Sequence, residues 1–398
     1  MSSRRSIFAR LDQTLLVALS LVFFVLVLLA VLRDERSEWL PFQERFQEIL
    51  EENDQRTAAE ELEPGIRQIW IPALDRVDRC VSCHLGYEWG ASLPADLPEP
   101  LAPHPDLPFM RAHPFQDFGC TGCHGGQGFA TERAAAHGDV AHWGEPLLST
   151  GLAERYGLTR AELMQTRCNQ CHRHEPETQG MDEINQAKDL FGKKKCLHCH
   201  SVDGHGGNSA PDLTYIGDKN PELVDFTYVE GRHTFFNWLI EHFIDPDVVT
   251  PDTEMPPYGF SGAQARQLAL LMLSWKKLSL PPRYIPRRPP PEAAQVVRER
   301  PLPPQVPGAE VGRGLFLTHG CHTCHGVGVS TAIGPDLAGL SQRRTPAWLR
   351  QWLADPAAML RAEPELASWP EQWGGIIMPN QNLDPTEIEE LTRYLSGL

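Results

Sequence analysis

Five times along this chain a cysteine is followed three residues later by a second cysteine and then at once by a histidine. The sets are Cys80, Cys83 and His84; Cys120, Cys123 and His124; Cys168, Cys171 and His172; Cys196, Cys199 and His200; and Cys321, Cys324 and His325. They use all ten cysteines of the 398 residues. A zinc site takes four ligands, usually from paired motifs, and gives no reason for a histidine after every second cysteine. A thioredoxin-like redox pair occurs once, in a strand–helix setting. Disulfides do not demand one spacing five times. Two thiols at this spacing each form a thioether to one vinyl group of a porphyrin, and the adjacent histidine falls under the iron. The sequence therefore predicts five covalently attached c-type haems, with His84, His124, His172, His200 and His325 as proximal ligands.

Proline (35) and glycine (32) are abundant, so long loops are expected, and aliphatic core residues are modest for the length. Haems filling the interior account for how such loops stay folded. A formal charge of −16 argues against nucleic acid, whose phosphates need a basic surface. It suits a basic protein partner as well as plain solubility.

Leu15 to Leu32 is apolar apart from Ser20. With Gln13 and Thr14 the run is about 20 residues, and at about 1.5 Å per residue it crosses a hydrocarbon core of about 30 Å. It ends in Val31, Leu32, Arg33 and Asp34, without the small residues of a signal-peptide cut site, so a retained anchor is expected. Arg4, Arg5 and Arg10 precede it, which places the N-terminus in the cytoplasm and the rest outside. After it, Phe42, Phe46, Ile49 and Leu50 recur at helical spacing over about 36–62. That stripe packs either on another membrane subunit or on the chain's own haem loops.

Residues 181–280 and 308–398 repeat one another. The first copy reads Leu190–Phe191, Cys196 to His200, Pro211–Asp212–Leu213, Trp238–Leu239, Asp245–Pro246, Met255–Pro256 and a final helix. The second reads Leu315–Phe316, Cys321 to His325, Pro335–Asp336–Leu337, Trp348–Leu349, Asp355–Pro356, Met378–Pro379 and a final helix. Between them, residues 281–307 are packed with prolines and arginines and should be extended.

On these features the two copies resemble class I, mitochondrial-type cytochrome c domains. The resemblance implies that the carbonyls of Pro211 and Pro335 orient the proximal histidines. It also implies that the sulfurs of Met255 and Met378, 55 and 53 residues after those histidines, are the sixth iron ligands. The expected class is mainly α with extensive irregular loops. The expected order is a cytoplasmic N-terminus (1–12), a transmembrane helix (13–32), a helical stalk (33–74), a loop-rich trihaem module (75–180), cytochrome c domain 1 (181–280), a Pro-rich linker (281–307) and cytochrome c domain 2 (308–398).

The first three haems need other sixth ligands, for which His104, His113, His137, His142 and His174 compete; His113, His137 and His142 are the chosen three. His104 and His174 read as surface residues, and His205, His233, His242 and His319 as polar surface or core. Methionine ligation raises a haem's potential relative to two histidines, so electrons should enter near the anchor and leave at the last haem. Anchor, multihaem module and cytochrome domains together resemble the cytochrome subunit of a quinol-oxidising complex of the cytochrome b/Rieske or alternative complex III type. That resemblance implies partners: membrane lipid, quinol-oxidising subunits such as cytochrome b and Rieske protein, and a soluble or oxidase acceptor on the periplasmic face. The alternatives are a multihaem reductase or peroxidase with an open haem, or a stand-alone anchored quinol dehydrogenase.

Overall fold

The structure, a computed structural model, describes residues 2–34, 37–141, 143–251, 253–277, 280–287, 302–329, 333–373 and 375–398. It forms two compact units, Met1–Leu148 and Ser149–Leu398. Helices and irregular loops dominate both, with two short antiparallel pairs of strands among the described residues.

The first unit opens with α1 (Ser2–Asp34). Its stretch Gln13–Leu32 has a mean hydropathy of 3.3, and none of it is buried by the rest of the chain. It is the one helix among the described residues long and apolar enough to cross a membrane. The expected helix over 36–62 is two helices, α2 (Leu40–Glu52) and α3 (Arg56–Glu61). The break falls where Asp54 takes a φ of 60°, the left-handed conformation that ends helices. The apolar stripe packs on this chain's own loops: Phe46, Ile49 and Leu50 meet Leu85, Leu93 and Leu101. Each of the three helical residues is at most 1% exposed, and burying each contributes about 1.5–3 kcal/mol. Buried Gln43 ties the helix to the first haem motif, donating to Gly65 O (2.7 Å) and Ser82 O (3.0 Å).

Between α3 and the second motif, β1 (Ile69–Ile71) pairs antiparallel with β2 (Arg76–Asp78), Ile69 opposite Asp78. The turn joining them needs the left-handed Asp75, φ 50°. The strand β2 delivers the chain directly to Cys80.

The second unit contains α4 (Arg160–Cys171), opened by a reciprocal capping pair, Thr159 and Glu162. The first repeat follows as α5 (Asp182–Lys193), α6 (Phe235–Ile244) and α7 (Gly262–Ser274). The second is α8 (Glu310–Thr318), α9 (Pro346–Ala354) and α10 (Pro385–Ser396). In each repeat the first helix crosses the last, α5 on α7 and α8 on α10. The crossing is close because a small residue sits at the contact. A Cβ on Gly312 would lie 2.1 Å from Glu390 O, and its counterpart in the first repeat is Ala187, fully buried. Phe316 and Tyr394 meet at the second crossing with ring centroids 5.5 Å apart.

The structure draws one boundary differently from the sequence. The stretch 75–180 is divided at Leu148, and the third haem motif folds with the first repeat. Buried Asn169 donates to Ser274 Oγ on α7 at 2.7 Å. Arg266 pairs with Glu162 at 3.1 Å, and Arg173 with Asp203 at 3.0 Å. Apolar periodicity carries no trace of such polar ties. Of the stretch 281–307, residues 288–301 lie outside the described residues. Its far end lies on the second repeat, where Arg313 donates to Pro303 O and Tyr394 to Pro304 O, both at 2.9 Å.

Candidate haem-binding sites

All five motifs share one backbone hydrogen bond. In each, the histidine N–H donates to the carbonyl of the first cysteine, four residues back. The distances are 2.9 Å for His84 and His124, and 3.0 Å for His172, His200 and His325. This single turn keeps the first cysteine and the histidine within one helical turn of each other, as attachment of one ring by two thioethers and an axial ligand requires. Among the described residues no group of three or more His, Cys, Asp or Glu converges as a metal site. Burial pushes the Cys196 and Cys321 thiols up to about 12.

In the two repeats the proximal side is set by the backbone. His200 Nδ1 lies 2.7 Å from Pro211 O, and His325 Nδ1 lies 3.1 Å from Pro335 O. A carbonyl accepts only, so Nδ1 carries the proton and Nε2 presents its lone pair. Burial lowers both imidazoles, in His200 against the opposing pull of Pro211 and Asp212, which keeps them neutral and able to bind metal. Gly334 is required here: a Cβ would stand 2.9 Å from the His325 ring.

The second repeat encloses a cavity of about 390 Å³ with Cys321, His325 and Pro335 on its walls together with Met378, Trp348 and Leu391. That volume lies within the range of cofactor pockets. A mostly apolar lining, a proximal imidazole and a thioether fit a haem. In the first repeat Met255 packs in the apolar cluster that contains Cys199. Each methionine sulfur also meets a nitrogen that sequence reasoning did not place there. His242 Nε2 lies 3.1 Å from Met255 Sδ, and Trp352 Nε1 donates to Met378 Sδ at 2.9 Å.

The two repeats share one of these walls. Tyr258 and Phe260, stacked at 5.3 Å, form a cluster with Ile333 and Ile376, against which both Cys199 and Cys324 pack. Burial, and then the nearby thiols of Cys196, Cys199 and Cys324, push the Tyr258 phenol up.

In the first unit the second motif rests on Asp78, fully buried. Its carboxylate accepts from Cys120 N (2.6 Å), Thr121 N (2.9 Å) and Thr121 Oγ1 (2.7 Å). The Cys80 and Cys120 side chains neighbour one another, and each acts on the other's thiol, holding Cys120 up and Cys80 down.

The candidate sixth ligands fall in different places. The His104 ring lies 6.1 Å from that of His124, centroid to centroid, and packs on Phe115 at 5.4 Å. His113 donates from Nδ1 to Phe109 O at 2.8 Å, with its ring 4.8 Å from Phe118. Burial chiefly lowers His84; Glu99 opposes this, and His137 lies near enough to lower it further. His142 lies outside the described residues. His172 binds the Glu175 carboxylate through Nδ1. Lys188 donates to His172 O at 2.8 Å. His104 carried one sequence signal: prolines on both sides (Pro103, Pro105) fix an extended backbone.

No curated protein and no solved structure matches the chain. The family model for cytochrome c matches residues 184–276 and 309–398. Those two segments are the two repeats, and each contains its own turn of two cysteines and a histidine. The chain therefore carries two cytochrome c domains, whose cofactor is covalently bound c-type haem and whose chemistry is electron transfer.

Proposed function

We propose that this protein is an electron relay with five c-type haems, one at each cysteine–cysteine–histidine turn. The observation that carries this reading is the shared turn. The three motifs outside the cytochrome c domains have the same histidine-to-cysteine hydrogen bond as the two inside them. Within the domains His200 and His325 are the proximal ligands, held by Pro211 and Pro335, and Met255 and Met378 supply the sixth position.

For the second haem the sixth ligand is His104. Two imidazoles on one metal are separated by two bonds of about 2 Å each plus the depth of both rings, and 6.1 Å between centroids suits that span. His137 serves the first haem, beside His84. His113 donates from Nδ1 to Phe109 O, the arrangement that leaves Nε2 free to bind iron, and it is the third imidazole candidate. The contacts favour two short hops: between the first two haems through the neighbouring Cys80 and Cys120, and between the last two past Tyr258. Imidazole ligation of the first three haems and thioether ligation of the last two set the flow from low to high potential.

In the cell the relay belongs to a quinol-oxidising membrane assembly. Gln13–Leu32 would anchor it in lipid, with residues after about 33 in the periplasm. Quinol-oxidising subunits such as cytochrome b and Rieske protein would supply electrons, and a soluble or oxidase acceptor would take them. One apolar helix cannot build a quinol site alone. A potentiometric titration of the membrane-purified protein tests the relay: two high-potential and three low-potential components are expected. Five indistinguishable potentials would refute the order. Copurification of a cytochrome b or Rieske protein is expected, and solitary purification in mild detergent would count against the assembly.

A further inference from the structure

The two cytochrome c domains differ at one position that touches the methionine sulfur. It lies four residues after the tryptophan that opens each Trp–Leu pair, one helical turn along α6 and α9. In the first domain it is His242, and in the second Trp352. In both domains the ring at this position stacks on that tryptophan. Trp238 stacks on His242 at 4.8 Å and 9°, and Trp348 stacks on Trp352 at 5.2 Å and 10°. Each ring points one nitrogen at a thioether, at 3.1 Å and 2.9 Å. The chemistry of those nitrogens differs. Indole N–H is a donor only. Imidazole Nε2 has a lone pair when the proton is on Nδ1, and in His242 Nδ1 faces Thr250 Oγ1 at 3.4 Å.

We propose that His242 is a second sixth ligand for the haem of the first domain, able to replace Met255 on the iron, while the second domain has no such substitute. The inference rests on the ligand reading above. It follows from three facts on that reading. Met255 sulfur is at the iron's sixth position. A nitrogen ligand waits within 3.1 Å of that sulfur. Iron in its ferric state favours imidazole over a soft thioether. No electron moves in the exchange. One dative bond from sulfur breaks and one from nitrogen forms. The proton that Nε2 offers to sulfur is carried on Nδ1, toward Thr250, when Nε2 binds iron. The first domain thus keeps a six-coordinate haem when its methionine is lost or oxidised, and its potential then falls toward that of two-histidine haems.

The test uses the full, haem-loaded chain, with ferric high-spin iron quantified by electron paramagnetic resonance. Met378→Leu should add one high-spin haem equivalent, because Trp352 cannot bind. Met255→Leu should add none, and Met255→Leu with His242→Phe should add one. Met255→Leu yielding the same high-spin equivalent as Met378→Leu would overturn the proposal and leave methionine ligation standing. Absence of a sulfur-to-iron charge-transfer band in the unaltered protein would overturn it from below, by removing the methionine reading itself. Should Met255→Leu fail to fold, Trp352→His in the Met378→Leu background decides. Loss of the high-spin signal there is expected, and its persistence would overturn the geometry.

Discussion

Asp78→Ala should loosen the second haem-attachment loop without touching a cysteine or histidine. The carboxylate is fully buried and receives three hydrogen bonds of 2.6–2.9 Å from Cys120 and Thr121. Hydrogen bonds to a charged group are worth about 1.5–3 kcal/mol each. Three on one carboxylate are not additive. A loss of about 3–5 kcal/mol, the size seen when one partner of a buried charged pair is removed, is expected. At about 1.4 kcal/mol per tenfold this is about two to three and a half orders of magnitude in the local opening equilibrium. Amide hydrogen exchange at Cys120 and Thr121, followed by mass spectrometry, reads that equilibrium directly. Asp78→Asn should fall between, since its oxygen can still accept from both backbone N–H groups while its amide meets the Thr121 hydroxyl. Unchanged exchange at both amides in Asp78→Ala would show that the carboxylate does not hold the loop.

Gly312→Val should lower the melting temperature of the second domain through about 1–3 kcal/mol of overpacking at the α8–α10 crossing; calorimetry would show it, and an unchanged melt would deny the close approach. His104→Ala should give one new high-spin haem by paramagnetic resonance; an unchanged spectrum would show that His104 is not an iron ligand. The pH dependence of the Glu162–Arg266 pair has a fixed sign. Burial raises the Glu162 carboxyl, but hydrogen bonds from Thr159 and then Arg266 outweigh it and hold it below its ordinary value. Its stabilisation is therefore complete above about pH 4.3 and lost as pH falls through the lower folded value. For a largely solvated pair this is about 1 kcal/mol or less, so the melting difference between wild type and Glu162→Gln should close toward pH 3.

The cysteine spacing made the attachment turns legible, because a covalent site must be written contiguously. The repeat was legible for the same reason at longer range: Pro211 and Pro335, and Met255 and Met378, recur in matching order. The distal contacts of the first unit were not. His104 approaches His124 through a loop whose path is set by Phe115 and the β1–β2 pair, and neither leaves a periodic signal. The break at Asp54 falls just past the apolar stripe that ends at Leu50, in a polar stretch whose Asn53–Asp54 pair is the turn signal. The attachment of the third motif to the first domain depends on Asn169, Arg173 and Arg266, polar side chains that read as surface until their partners are known. His242 was set aside as an ordinary polar residue, although alignment of the two repeats already placed it opposite Trp352.

The account turns on how many porphyrins the chain binds. Intact-mass measurement of the full protein, made in a host that matures c-type cytochromes and denatured to strip non-covalent groups, counts them. Five haem additions per chain are predicted. Two additions, confined by peptide mapping to Cys196–Cys199 and Cys321–Cys324, would contradict it.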